Sequence, residues 1–359
     1  MKDYLIDQRN SNRYRVMVKE SLGYTAYCFS TPIYSAYTRS LICPMFEKTN
    51  GGYVFKGTNG SISIFQNRCV FENRDGKIVL ILNETPMIGG SKGQKESKIT
   101  VAPTLNGIRF VVKGSFLNLL LKSEIRQEDV RFNSNCFSVM SEKFKPFLSV
   151  AALYASDGKD FFLPVEMRYQ DKGNQTYEIS LFHEINNGSF SFEVNLYEAK
   201  LFQDTTVESK HPDVNNVYGA IAFIGKTKQF GNQWLYLRPD FSKISDLTSE
   251  QIEKVILHIP VLIGSSETVD VFVPERRFCS FGSTWNNKVN ASIKLASAYN
   301  NDRYLSIDAT NIFANSIEHT LTYNEGLILK KPNSKNNYIA ISTGDCYSAP
   351  PILEIKIKK

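Results

Sequence analysis

The feature that most restricts the fold is a series of tight-turn pairs set between short apolar runs. Asn50-Gly51, Asn59-Gly60, Asp75-Gly76, Asn106-Gly107, Asp157-Gly158 and Asn187-Gly188 each supply the positive φ angles that tight hairpins demand. Ser61-Ile62-Ser63-Ile64-Phe65 alternates polar and apolar residues, as does Phe190 to Leu196, the pattern of strands with one face in a core. Lys77 to Leu82 is apolar almost throughout and reads as a strand buried on both faces. The stretch from Cys69 to Asn83, hinged on Asp75-Gly76, is the clearest hairpin.

Helical periodicity is scarce. Short candidates are Ser141 to Phe147, the turn around Thr248 to Gln251, and Asp308 to Ser316. Thr248 and Gln251 have capping-box spacing, but the β-branched Val255, Ile256 and Ile259 follow, so one helical turn feeding a strand is expected. Many short strands with few helices predict an all-β chain of sandwich or jelly-roll type. Its 24 Phe and 18 Tyr agree with that reading.

A chain of 359 residues exceeds what one core usually organises. The expected division is an N-terminal β-sandwich domain over 1–199 and a jelly-roll domain over 200–359, with a sub-domain split near 89–98 left open. Gly89 to Lys98 has the look of a phosphate-binding loop but lacks the Gly-Lys-Ser/Thr ending and any following helix pattern, so it reads as a charged connection.

The formal net charge of +6 suits an acidic polymer or an anionic surface, though a mildly basic domain needs no such partner. No Arg/Lys stripe interleaves with aromatics, so nucleic acid is not an expected partner. No run is long enough to span a bilayer, and the N-terminus shows no signal peptide, leaving the compartment open between cytoplasmic and exported without a leader. Cys28, Cys43, Cys69, Cys136, Cys279 and Cys346 lie far apart with no C-x-x-C spacing, which argues for buried thiols and against zinc.

From about Lys200 an ordered set of short motifs begins. Gln203-Asp204-Thr205-Thr206-Val207-Glu208-Ser209 leads to Pro212, Asn216, Tyr218-Gly219 and Gly225. Then come Trp234 to Phe241, Ile252 to Leu262, Trp285, Tyr304 to Thr310, Gly326 to Lys330, Ile341 to Thr343 and Pro351 to Ile355. In number, order and spacing these pieces resemble the DNRLRE domain, a β-sandwich related to carbohydrate-binding modules of bacterial surface and polysaccharide-degrading proteins. The resemblance covers somewhat under half the chain. It implies a jelly-roll module with Arg238 at a characteristic strand position, and it brings no catalytic residues.

Enzyme signatures are absent. His183, His211, His258 and His319 are widely separated, and no nucleophile elbow or dinucleotide fingerprint occurs. Glu166, Glu184 and Glu193 read as solvated carboxylates on or near strands. The expected ligand contacts are Trp285, Asn286, Asn287, Lys288 and Tyr299, aromatics beside polar groups that suit the apolar faces and hydroxyls of sugars. Trp234 is read as core or as a sugar contact. Asp204 and Asp308 could share a structural calcium, although a turn-pinning Asp204 and a helix-capping Asp308 account for them locally. Arg238 should pair with a carboxylate such as Asp240 or Asp308. Arg276-Arg277 reads as a solvated edge, with anion binding as the alternative. The leading expectation is a non-enzymatic protein that recognises a polysaccharide or glycoconjugate. The alternatives are a structural component that packs into a homo-oligomer, and a polysaccharide lyase or hydrolase.

Overall fold

The turn pairs reverse the chain, although of the six only Asp75-Gly76, Asp157-Gly158 and Asn187-Gly188 contain a residue with the expected positive φ, at Gly76, Gly158 and Asn187. Asn59-Gly60 joins Tyr53–Lys56 to Ser61–Phe65, and Asn106-Gly107 stands between Ile99–Pro103 and Gly107–Lys113, antiparallel partners in both cases. At Asp75-Gly76 the strands Arg68–Asn73 and Gly76–Leu82 close with Asn73 opposite Gly76. Gly76 has φ +146°, and a Cβ there would sit 2.3 Å from Ile125 Cγ2, so both backbone and space select glycine. Within Gly76–Leu82 only Ile78, Leu80 and Leu82 are buried, while Val79 and Ile81 are half-buried. The strand has one core face rather than the two expected.

The computed structural model describes residues 5–30, 32, 45–57, 59–88, 98–141, 146–158, 162–197, 200–244, 246–264, 268–299, 303–318, 324–331, 337–346 and 349–358. It is 60% strand and 4% helical, so the chain is all-β, built of antiparallel sheets. The predicted loop at 89–97 and most of the candidate helix from Ser141 lie outside the described residues; Phe147 belongs to the strand Pro146–Ser156. Thr248 to Gln251 forms one 3-10 turn with a capping box, followed by the strand Ile252–Ile263. The helix expected from Asp308 runs over Thr310–Glu318.

The chain forms two compact units, Ser35–Glu198 and the combination of Met1–Tyr34 with Ala199–Lys359. In the first, one eight-stranded sheet runs from Gln127–Asn133 through Pro146–Ser156 and Ser189–Leu196 to Met87–Ile88. A second eight-stranded sheet runs from Glu166–Asp171 through Phe116–Ser123 and Gly76–Leu82 to Glu47–Lys48. Both sheets contribute to one apolar cluster. Phe71, Leu80 and Ile179 come from one, and Phe110, Val150 and Phe192 from the other. The Phe110 and Phe192 rings, opposite each other on paired strands, stack at 4.5 Å.

Among the described residues the other unit holds 13 strands. Its long strand Ile252–Ile263 pairs first with Ile352–Lys358 and Tyr304–Asp308, then bulges and pairs with Tyr338–Ser342. Arg15–Lys19 and Gly23–Phe29 form a hairpin that continues onto Ile352–Lys358, with Cys28 opposite Leu353. The first strands of the chain therefore belong with its last, where the sequence division had put residues 1–199 in one domain. The helix lays Phe313 and Ile317 into this core, and Phe313 meets Phe241 edge-on at 5.2 Å. Among the described residues Cys28, Cys69, Cys136 and Cys346 are buried thiols and Cys279 is exposed; Cys43 lies outside them. Burial pushes the Cys28 and Cys69 thiols up to about 12, which keeps them protonated.

Candidate functional site

In Gly231–Pro239, Leu235 and Leu237 enter the large core, so the alternation of a strand turns Trp234 and Tyr236 to the opposite face. The neighbouring strand Leu327–Lys330 sends Ile328 and Lys330 to that same face, and Thr268–Pro274 sends Asp270 and Phe272. Val207, Tyr236, Phe278, Val289 and Ile328 form a small second core there, on which Trp234, Phe272 and Trp285 pack half-buried.

The segment carrying Trp285 is tied down from several sides. Asn215 Nδ2 donates to the Ser280 and Ser283 carbonyls at 2.7 and 2.8 Å, and the Asn286 N–H donates to Pro212 O at 3.1 Å. Tyr236 Oη donates to Val289 O at 2.5 Å, and burial pushes its pKa upward. These bonds explain the run from His211 to Tyr218, whose amides hold loops together. The same region buries Glu208, with His211 Nδ1 at 2.6 Å and Gln233 Nε2 at 3.2 Å.

Both tryptophans of the chain therefore meet, with ring centroids 5.3 Å apart and planes at 58°. Lys288 Nζ stands 4.2 Å from the Trp285 ring centre and 5.6 Å from that of Trp234. Lys330 Nζ stands 4.8 Å from Trp234 and 4.2 Å from Phe272. Contacts of this kind contribute about 0.5–2 kcal/mol each, more as water is removed. Desolvation pushes the Lys288 pKa down. Among the described residues neither lysine is in an ion pair, whereas Lys294 takes Asp270 at 2.7 Å, and Ser297 Oγ donates to the same carboxylate at 2.8 Å.

Of the residues chosen from sequence, Trp285 and Lys288 come together. Asn286 and Asn287 adjoin them, but their amides serve the loop: Asn286 Nδ2 donates to Asp213 at 2.8 Å, while Asn287 accepts from Thr284 N and donates to Gly282 O. Tyr299 ends the strand Ala291–Tyr299 opposite Thr268, whereas Ala291, the end nearer Trp285, lies opposite Pro274. Ser297, two residues before Tyr299, lies opposite Asp270, which lies opposite Lys330, so Tyr299 stands about 7 Å along the strand from the Lys330 row. Its ring makes none of the tryptophan and lysine contacts that form the cluster. Lys330 and Phe272 belong to the cluster and were not singled out. The signal was present in Gly326 to Lys330, a strand whose last outward residue is charged.

The carboxylates have other duties. Asp308 is exposed and caps the helix, accepting from Thr310 N at 3.1 Å and Thr310 Oγ1 at 2.6 Å. Asp204 is 4% exposed and accepts from Gly344 N beside the Lys200–Asp345 ion pair. The two do not share a site, so the calcium arrangement proposed for them is not formed. Among the described residues no group of three or more His, Cys, Asp and Glu gathers to hold a metal ion. Arg238 is half-buried and gives Nη2 to Gln203, directly across the strand pair. Asp240 caps the turn at Ser242 instead, so the expected carboxylate partners are engaged elsewhere. Glu193 is buried and held by Arg109 Nε at 2.7 Å, which corrects its reading as a solvated carboxylate; Glu166 and Glu184 are exposed.

One grouping has the order of a nucleophilic triad. His258 Nδ1 lies 3.0 Å from Ser306 Oγ, and Nε2 lies 3.0 Å from Glu354 Oε2. All three residues sit on adjacent strands of one ladder, with Ser306 opposite His258 and Glu354 opposite Ile256. The two contacts tie the three strands together through their side chains. No helix of the described residues is long and apolar enough to cross a membrane. No protein-family model matches the chain, and no curated protein does either.

Proposed function

We propose that this chain is a non-enzymatic binding protein whose C-terminal half recognises a polysaccharide or glycoconjugate. One observation carries the reading: both tryptophans stand half-exposed on one braced sheet face beside two ammonium groups that no carboxylate among the described residues neutralises. A preorganised aromatic and polar surface binds with little ordering cost, as sugar sites require. The motif order from Lys200 onward, with its resemblance to DNRLRE jelly rolls, supports the same function. Trp285→Ala should weaken binding to any glycan the wild type captures on an array by at least tenfold. Unchanged binding on every such glycan would remove this face from the function.

A second reading is a structural protein that assembles with copies of itself. The edge strand Ala291–Tyr299 favours it, because Ile293, Leu295 and Tyr299 are 67%, 38% and 58% exposed, and its one charge, Lys294, is neutralised by Asp270. Natural edges usually carry free charges that prevent pairing. On this reading Leu295→Lys converts a large species in light scattering to a monomer. A wild-type protein that scatters as a monomer at high concentration excludes it.

A further inference from the structure

The cluster is built more for charge than for stacking. A flat sugar platform needs an open ring face, yet Lys288 already stands over Trp285, and Trp234 is approached by both lysines and packed against Trp285. What the face offers instead is two ammonium groups fixed in place. Lys288 also donates to Trp285 O at 3.0 Å, so its position is set by three contacts. From the distances to Trp234, the two Nζ atoms lie no more than 10.4 Å apart, the sum of 5.6 and 4.8 Å. Lys294 is paired with Asp270, while Lys288 and Lys330 have no ion-pair partner among the described residues. Partly desolvated cations without an internal counter-ion are a standing demand for an anion.

We propose that the ligand of this face is an anionic glycan, one whose carboxylates or sulfate esters dock on Lys288 and Lys330 while its ring edges touch Trp285 and Phe272. The proposal rests on the glycan reading above and adds the chemical class. Uronate and sulfated chains share the needed chemistry, since each presents oxyanions at repeating intervals along a pyranose backbone. Lysine serves here as a point charge, so neither bidentate geometry nor one kind of oxyanion is demanded.

Calorimetric titration of the intact chain separates the outcomes. The probes are polygalacturonate fragments, the same fragments methyl-esterified, dextran sulfate, neutral dextran and polyglutamate. The expected result is binding of one of the two acidic glycans, a loss of at least tenfold on esterification when polygalacturonate is the one bound, and weakening with added salt. Lys288→Met with Lys330→Met should lose about tenfold per lysine, with Lys288→Arg and Lys330→Arg retaining most of the affinity and reporting that the fold is intact. Equal binding of the acid and its ester, or of dextran and dextran sulfate, overturns the anionic class and leaves glycan recognition standing. Polyglutamate bound as tightly as the glycans overturns it too, by showing a plain anion site. No binding to any glycan defeats both readings together. A double methionine variant that binds like wild type, in a chain that Trp285→Ala disables, removes the lysines from the site.

Discussion

Asp246→Ala will lower the unfolding free energy by about 3 kcal/mol, more than Arg15→Met at the other end of the same ion pair. Arg15 is 3% exposed and Asp246 is 60% exposed. The guanidinium gives Nη1 and Nη2 to the two carboxylate oxygens at 2.7 Å each, and Nε and Nη2 to Asn10 O. Removing the aspartate strands a buried cation, whereas removing the arginine leaves a carboxylate that water can reach. The pair also joins residues 231 apart in sequence, holding the N-terminal hairpin to the segment before Ile252–Ile263. The double change Arg15→Met with Asp246→Leu should recover at least half of the loss, because the charge that needed a partner is gone. Urea titration of the four proteins tests this. A single Asp246→Ala cost below about 1 kcal/mol, or a double variant worse than both singles, would show that the buried charge is not what matters.

That pair also shows where sequence reading stops. Local chemistry made the turns legible, since Asn-Gly and Asp-Gly pairs act within four residues. The strands from Ser61 and Phe190 were legible because apolar alternation is also local, whereas those from Trp234, Ile252, Tyr304, Gly326 and Pro351 were expected from the resemblance to DNRLRE domains. Pairing across the whole chain is not. Nothing in Arg15 to Phe29 says that its hairpin extends a strand that begins at Ile352, because an antiparallel edge accepts any strand whose inward face is apolar. The both-faces reading of Lys77 to Leu82 failed for a related reason: Val79 and Ile81 are apolar yet only half-buried, and composition does not tell which face is covered.

The site was legible in part. Trp285 and Lys288 are three residues apart on one loop, so their meeting follows from local geometry. Lys330 and Phe272 join them only because registers align three strands, Tyr236 opposite Ile328 and Ile328 opposite Phe272. A register is fixed by the turns and bulges of every intervening strand, which no single segment encodes. Asparagines misled for a different reason. Asn286 and Asn287 are exposed amides beside an aromatic, the composition of a sugar contact, but loops use the same amides to close on themselves.

The Asp204 carboxyl makes the second large prediction, a stability that falls as pH rises. Burial pushes its pKa up to about 8, the nearby Asp345 charge adds to this, and Lys200 and the Gly344 N–H oppose it. The folded protein therefore holds a proton at neutral pH that the unfolded chain releases near the ordinary carboxylate value. The stabilisation from that proton is complete below the unfolded pKa of about 3.9. It declines as pH rises, at up to about 1.4 kcal/mol per unit, and is exhausted once pH passes the folded pKa. Asp204→Asn cannot ionise, and its amide oxygen can still accept from Gly344 N. Its unfolding free energy should match the wild type below about pH 4, exceed it by about 1 kcal/mol at pH 5 and by a few kcal/mol at pH 9. Groups common to both proteins, the buried thiols included, cancel in the difference. Denaturant titrations of the pair from pH 5 to pH 9 read that difference directly. A flat difference across the range would mean that Asp204 is ionised throughout, with Lys200 shared between two carboxylates rather than held by Asp345 alone.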